Sequence, residues 1–320
     1  MAVALVALAG CSGDATPSRT DPPPSTGAGS TTTPSTVAAA STTTSTVPDP
    51  LVVGTPSRLD DLAVDELIAR LTAAEQTLRD PATDDPTATR AGVTQQLIFR
   101  QLAARPEIDD KVVASMPDDV RPTVERVVAA RQFAQARSAA NPSPTPPAST
   151  LPAWTVVEPL PVDELRGYYD EAEQLTGVPW YWLAAINLQE TRMGRIVGVS
   201  SAGAVGPMQF LPSTWAECCE GDPLVPRDAI IGAATYLAQS GAPTDMAAAV
   251  RQYNPNDSYV ALVTAYAENL RDEPSLYRGY HAWQVFVSSA AGTVRLPVGF
   301  TADTPVDAAA HLAAHPDDRG

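Results

Sequence analysis

The sequence contains few cations, and this limits the partners that it can bind. Its 320 residues include 21 Lys and Arg against 37 Asp and Glu, which gives a net charge of −16. Nucleic-acid binding depends on clustered cations that neutralise phosphates, so this class of partner is excluded. The chain has a single lysine, Lys111, and it lacks the phosphate-loop motif G-x-x-x-x-G-K-[ST].

Cysteine is also scarce. Only Cys11, Cys218 and Cys219 occur, which leaves no framework of disulfide bonds and no spacing typical of a zinc site. The adjacent pair Cys218 and Cys219 is compatible with a vicinal disulfide bond in an oxidising compartment, and equally with two half-buried thiols. Neither state predicts catalysis.

No hydrophobic run is long enough to span a bilayer, which requires ~20 residues. Residues 2–10 form an apolar stretch of nine residues, a length typical of a signal-peptide core. It ends in Leu8-Ala9-Gly10-Cys11, which resembles the lipobox of bacterial lipoproteins. We therefore predict a signal peptide over residues 1–10 and a lipid on Cys11. The alternative is an ordinary cleaved secretory signal. Because no Lys or Arg precedes the run, we expect the natural start to lie upstream.

Proline, at 31 residues, marks two segments that we expect not to fold. Residues 11–56 consist mainly of Ser, Thr, Pro, Ala and Gly without apolar periodicity, so they cannot bury enough surface to offset the entropy of ordering. Residues 141–154 are also rich in proline. We predict a disordered tether over 11–56 and a stiff linker over 141–154.

Apolar residues elsewhere recur at spacings near 3.6, which predicts a mainly α fold. Residues 57–140 are predicted to form a small helical bundle, with no residues that carry chemistry and an unknown protein partner. Residues 155–287 are predicted to form a second helical domain, and residues 288–320 a loose C-terminal tail. The helices expected in the second domain lie near 161–176, 179–191, 212–219, 228–240, 244–253, 257–271 and 275–287.

Glu190 is the candidate proton donor. The helix over 179–191 is apolar all round, which predicts that it is buried inside a larger domain. Glu190 shares a face of this helix with Leu183, Ile186 and Asn187, so its carboxyl should lie against the core. Burial disfavours the ionised form and raises the pKa of a carboxyl towards the range of a general acid. The alternative is a helix-terminal glutamate turned to solvent.

A glycine-rich segment follows the glutamate directly. Residues 192–211 contain four glycines and end in Gly206-Pro207-Met208-Gln209-Phe210. We expect a turn that holds Met208 and Gln209 over a cleft, where an amide reads sugar hydroxyls and acetamido groups and a thioether fills apolar gaps. The alternative is a bare connecting loop.

Together these motifs resemble the lytic transglycosylases of the bacterial cell wall, most closely the membrane-bound type B group. The resemblance covers about residues 155–287. It rests on Glu190-Thr191-Arg192-Met193-Gly194, Ser200-x-x-Gly203-Ala204, the run from Gly206 to Trp215, and Tyr253-Asn254 with Tyr259. It implies a lysozyme-like helical catalytic domain with an active-site cleft that acts on peptidoglycan glycan strands, and it does not cover residues 1–154. Together with the lipid predicted on Cys11, it places the protein in the extracytoplasmic cell envelope of a bacterium, anchored to a membrane.

The resemblance also assigns roles to individual residues. Glu190 matches the glutamate that serves as both acid and base in this family. Ser200, Gln209 and Asn254 would hydrogen-bond the substrate or orient the glutamate, and Tyr253 and Met208 would line the cleft. Asn254 is alternatively a cap or turn residue.

The implied reaction cleaves the β-1,4 bond between N-acetylmuramic acid and N-acetylglucosamine and closes a 1,6-anhydro ring. The substrate's acetamido group assists, so no second carboxylate is required. Two alternatives stay open: a goose-type muramidase, which admits water, and a non-catalytic peptidoglycan-binding lipoprotein. We predict no cofactor and no metal, because the nearby acidic residues lack the ligand order of a calcium loop. Those residues are Glu217, Glu220, Asp222 and Asp228.

Overall fold

The structure is a computed structural model that describes residues 50–320 except Thr55, Asp60 and Pro144. The predicted signal peptide, the lipidated Cys11 and the tether up to residue 49 lie outside the described residues. Within the described part, no helix is both long and apolar enough to cross a membrane.

Four α-helices form the N-terminal part of the described chain. Asp84 begins the second of them, because its side chain accepts a hydrogen bond from the Thr87 amide and so satisfies a free N–H of the first turn. A 3-10 turn, Pro106–Ile108, joins the second helix to the third. The helices are α1 (Val64–Arg79), α2 (Asp85–Ala104), α3 (Asp109–Ser115) and α4 (Arg121–Ala140).

Eight further helices follow, and the mainly α fold that the sequence predicts is confirmed. Gly177, with φ of 77°, ends α5 in the left-handed conformation that favours glycine. Every residue of α6 except Tyr181 is buried, as its uniformly apolar sequence predicts. The helices are α5 (Val162–Thr176), α6 (Trp180–Thr191), α7 (Pro212–Cys218), α8 (Pro226–Gln239), α9 (Met246–Tyr253), α10 (Asp257–Asp272), α11 (Leu276–His281) and α12 (Ala308–Ala314).

The N-terminal helices pack directly on the helices of the second domain. Helix α4 packs on α10, and α2 packs on α11. At the second contact a Cβ atom on Gly92 would lie 2.3 Å from the Gly279 carbonyl oxygen, so α2 needs glycine there. Asn269 of α10 donates to the Thr123 carbonyl of α4. The expected separate bundle is therefore part of the same compact unit, since residues 50–320 are not divided further.

The C-terminal residues are ordered, which differs from the loose tail that the sequence suggests. Strand β4 (Val285–Ser289) pairs antiparallel with β5 (Gly292–Leu296). Strand β6 (Val306–Asp307) pairs with β1 (Thr150–Leu151), which lies inside the expected linker. Strand β2 (Trp154–Val156) pairs with β3 (Ile196–Gly198). Buried apolar side chains from these strands form a second core cluster, which stabilises segments with little helical periodicity.

Candidate functional site

Glu190 lies on the last turn of α6 with only 8% of its surface exposed. The helix is buried on nearly all sides, so its C-terminal end delivers the carboxyl into the protein. The expectation of a core-facing glutamate is met, and the alternative of a glutamate turned to solvent is not.

One side chain on α10 holds this carboxyl. The hydroxyl of Tyr259 donates a hydrogen bond to Glu190 Oε1 at 2.7 Å, and Tyr259 is itself fully buried. Burial raises the pKa of Glu190 from 4.5 to about 8, although the Tyr259 hydrogen bond and the nearby Arg192 cation both act to lower it. At neutral pH the group is therefore mostly protonated and can donate a proton.

The turn between α9 and α10 places Tyr259. Asn256 caps α10, because its Oδ1 accepts hydrogen bonds from the amides of Ser258 and Tyr259. Asn254 is 2% exposed, and its Oδ1 accepts from the Asn256 amide. Its Nδ2 is buried without a hydrogen-bond partner among the described residues. Asn254 therefore shapes the turn and keeps one amide donor unused.

Two polar side chains of α6 fix the glycine-rich loop. The carbonyl oxygen of Pro207 accepts hydrogen bonds from Asn187 Nδ2 at 2.8 Å and from Thr191 Oγ1 at 2.6 Å. The next carbonyl, of Met208, accepts from the Tyr253 hydroxyl. Asn187 lies one turn before Glu190 and Thr191 directly follows it, so the loop is held at the end of the helix that carries the glutamate.

Met208, Ser200 and Gln209 differ in how the structure places them. Met208 has no exposed surface, so its side chain packs in the core instead of lining an open cleft. Ser200 Oγ accepts from the Ala204 amide at 3.0 Å and stabilises the turn of the loop. Gln209 is half-buried, and its Nε2 donates to the Gly206 carbonyl at 2.9 Å.

The backbone around the glutamate is strained. Among the described residues, the non-glycine residues with positive φ are Arg192 at 55°, Met193 at 61° and Gln209 at 52°. Left-handed backbone is costly for residues with a Cβ atom, and it persists where the surrounding structure imposes it, often at functional sites. All three belong to the segment that follows Glu190, which supports this segment as the functional one.

An apolar cavity of about 380 Å³ lies beside the loop. Its wall shares Asn187, Gly194 and Pro207 with the contacts just described, and Glu190 does not line it. A ligand in this cavity would contact the loop and not the carboxyl. Its rim includes Val199 and Leu224, which are 58% and 62% exposed.

Tyr253, which the resemblance places in the cleft, is 3% exposed and packs its ring edge-on against Phe210, with centroids 5.6 Å apart. Sequence reasoning gave Tyr259 no role, although it lies six residues beyond Tyr253 in the same motif. It also missed Thr191, which directly follows the glutamate.

Cys218 and Cys219 form a disulfide bond with each other at the end of α7, which decides between the two states that the sequence allows. Among the described residues, no group of three or more His, Cys, Asp or Glu side chains is placed to hold a metal ion.

Comparison with known proteins gives a partial match. The chain is 36% identical over 80 residues to the membrane-bound lytic murein transglycosylase F of Thiobacillus denitrificans. The aligned stretch is 25% of this chain and 17% of that protein, so the chain spans less than a fifth of the relative's length. No protein-family model matches the chain. No solved structure matches it either.

Proposed function

We propose that this protein is a peptidoglycan lytic transglycosylase that cleaves the β-1,4 bond between N-acetylmuramic acid and N-acetylglucosamine. The observation that carries the proposal is Glu190, a buried carboxyl that has a tyrosine hydroxyl as its partner and a pKa of about 8. The partial identity to a lytic murein transglycosylase supports the substrate class.

Glu190 acts first as an acid. Its carboxyl proton moves to the oxygen that links the two sugars, the bond from that oxygen to C1 of the muramyl residue breaks, and N-acetylglucosamine leaves. The carbonyl of the muramyl acetamido group stabilises the positive charge at C1, so a second carboxylate is not required. This step leaves Glu190 as an anion that accepts the Tyr259 hydrogen bond.

Glu190 then acts as a base. The carboxylate takes the proton of the C6 hydroxyl of the same sugar while O6 bonds to C1, which closes the 1,6-anhydro ring. The proton returns to the glutamate, so the cycle consumes no water and no cofactor. A pKa near neutrality suits a group that must both donate and accept a proton.

Residues around Glu190 would hold the glycan. We assign this role to Gln209 and to Asn254, whose Nδ2 has no partner among the described residues. Ser200 and Tyr253 would act by shaping the loop, because their hydrogen bonds go to backbone groups. Met208 would contribute its carbonyl to the Tyr253 contact and pack its side chain beneath the site.

We further propose that the protein works in the cell envelope. In this proposal Cys11 carries a lipid that holds the chain at a membrane, and the segment up to residue 56 spans the distance to the glycan. The name of the relative, a membrane-bound enzyme, supports this location.

Mass spectrometry of the products from purified sacculi tests the proposed reaction. We expect soluble muropeptides with 1,6-anhydro ends. Products heavier by one water would instead identify a muramidase. Tight binding to sacculi without any soluble product would identify a binding protein. Either result contradicts the proposal.

A further inference from the structure

Arg192 is a buried cation without an ionic partner. It is 5% exposed, and no described carboxylate lies within 4.0 Å of its guanidinium, although ion pairs hold most other arginines here. Its Nε atom is buried with no hydrogen-bond partner among the described residues. A buried charge is costly unless it is compensated, so this arginine requires an explanation.

The backbone directs this side chain back along α6. Arg192 is the C-terminal cap of the helix, in the left-handed conformation with φ of 55° and ψ of 57°. Its Nη1 donates to the Leu188 carbonyl at 2.5 Å. The guanidinium thus lies beneath the last turn of the helix, which also carries Glu190.

Helix α10 faces both residues. Tyr259 bonds Glu190, and Tyr266, seven residues later on the same face of α10, lies near Arg192. The Tyr266 hydroxyl is fully buried and has no partner among the described residues. Tyr266 is thus a neutral neighbour of Arg192, and it supplies no counter-charge.

A second cation interacts with Arg192. Arg100 of α2 stacks on the ring of Phe286 at 3.8 Å, and burial together with the Arg192 charge lowers its pKa to about 10. The buried Arg192 therefore interacts with a second cation that is half-buried. The acidic side chain that interacts with Arg192 is Glu190.

We propose that Arg192 is a positioning residue for Glu190, which stabilises the carboxylate that must exist between the two proton transfers. The inference rests on the proposed function for its catalytic meaning. The electrostatic link between the two side chains is independent of substrate. The charged and titratable groups facing Glu190 are Tyr253 from α9, Tyr259 from α10 and Arg192 itself.

The electrostatic interaction between Arg192 and Glu190 explains how one glutamate can act first as an acid and then as a base. Desolvation alone would keep Glu190 protonated and make it a poor acid, because its anion would lack stabilisation. A cation that lies near the carboxyl without contacting it lowers the free-energy cost of forming the carboxylate. A direct ion pair would instead abolish the protonated form, which donates the proton. Arg192 supplies such a cation, because its guanidinium donates to the Leu188 carbonyl and forms no ion pair with a described carboxylate.

The test uses Arg192→Gln and Arg192→Lys. Glutamine removes the charge but can still donate to the Leu188 carbonyl, whereas lysine keeps the charge, and neither side chain is branched at Cβ in the left-handed conformation. Titration of Glu190 by ¹³C NMR of labelled glutamate should give a midpoint about one unit higher in Arg192→Gln than in the parent. The midpoint of Arg192→Lys should lie near that of the parent.

Arg195→Met is the matched control, since it removes a cation three residues away that pairs with Glu158 and leaves Arg192 in place. It should leave the Glu190 midpoint unchanged. An unchanged midpoint in Arg192→Gln would overturn the proposal, as would an equal shift in Arg195→Met.

Activity gives an independent reading of the same link. With sacculi as substrate, the alkaline limb of the pH profile should move up in Arg192→Gln and return in Arg192→Lys. A uniform loss of rate without movement of the limb would show a structural role only and would contradict the proposal. If the parent has no activity, the proposed function fails while the NMR titration still decides the role of Arg192.

If Arg192→Gln does not fold, a double-mutant cycle between Glu190→Gln and Arg192→Met, which also removes the charge, serves instead. Measured as unfolding free energies at pH 9 and pH 6, the coupling should be larger at pH 9, where Glu190 is ionised. Equal coupling at both pH values would refute the link.

Discussion

Asp109 in the N-terminal helices and Glu190 at the candidate site are both almost fully buried, but they are held in different ways. Asp109 accepts hydrogen bonds from Arg131, its ion-pair partner, and from Gln132. The carboxyl of Glu190 meets a tyrosine hydroxyl and no cation within ion-pair distance among the described residues. Glu190 is thus held by a neutral donor, and burial raises its pKa to about 8.

Two further buried carboxylates follow the pattern of Asp109. Glu75 pairs with Arg79 at 2.5 Å and accepts from Gln95 at 2.8 Å. Asp318 pairs with Arg295 at 2.8 Å. Among the described buried carboxylates, Glu190 is thus the exception. Burial alone therefore does not distinguish Glu190 from these carboxylates, whereas the lack of a paired cation does.

Replacing Glu190, the buried carboxyl without a paired cation, should have the largest effect on activity. Glu190→Gln retains the shape and can still accept the Tyr259 hydrogen bond, but it cannot transfer a proton. We expect the release of muropeptides from sacculi to fall by about 10³-fold, within the range for loss of a general acid and base. The exposed Glu220→Gln is the control and should retain the parental rate. A Glu190→Gln variant as active as the parent would reject the assignment.

Arg131→Met tests the buried carboxylates that pair with an arginine, of which Asp109 is one. It leaves Asp109 buried without its cation, so we expect the unfolding free energy to fall by about 4 kcal/mol. Arg70→Met, which breaks the more exposed pair with Glu66, should cost less than about 1 kcal/mol. Chemical denaturation of both variants measures the difference, and equal losses would show that burial of the pair is irrelevant.

Glu190→Gln should change stability in the opposite direction. The folded pKa of Glu190, about 8, lies above its ordinary 4.5, so this carboxyl destabilises the fold increasingly as pH rises from 4.5 to 8. The variant should be more stable than the parent by about 3 kcal/mol at pH 7 and nearly equal to it at pH 4. Urea unfolding at both pH values tests this, and a pH-independent difference would contradict it.

Tyr259→Phe should have the smallest effect. It removes a hydrogen bond that favours the Glu190 anion, so the pKa of Glu190 should rise further and the rate should fall about tenfold. Tyr168→Phe removes a similar tyrosine–glutamate bond at the surface, to Glu164, and should leave the rate unchanged. The pH profile of both variants distinguishes a specific effect of Tyr259 from a general one.

The sequence predicts the helical part of the site well. It places α6 at 179–191, against the observed Trp180–Thr191, because an uninterrupted apolar run between a glycine–proline start and a polar end has few other interpretations. It therefore also predicts the burial of Glu190. The spacing of apolar residues likewise predicts α5 and α10 to within one residue at each end.

Contacts between distant segments could not be predicted in this way. Strands β1 and β6 have two residues each and pair across more than 150 positions of sequence, so neither carries a local signal. The last helix expected, 275–287, ends at His281, and β4 begins at Val285, because alternation over five residues is too short to stand out. The Tyr259 contact spans 69 residues and depends on how α10 packs on α6.

The central claim is that Glu190 is an unpaired buried acid, and direct titration tests it most simply. The signal of Glu190 in ¹³C-labelled protein can be assigned by its disappearance in Glu190→Gln, and its midpoint measured without any substrate. We predict a midpoint of about 8. A midpoint near 4.5, the ordinary value for a glutamate, would contradict it, because the carboxyl would then be ionised and unable to donate its proton at neutral pH.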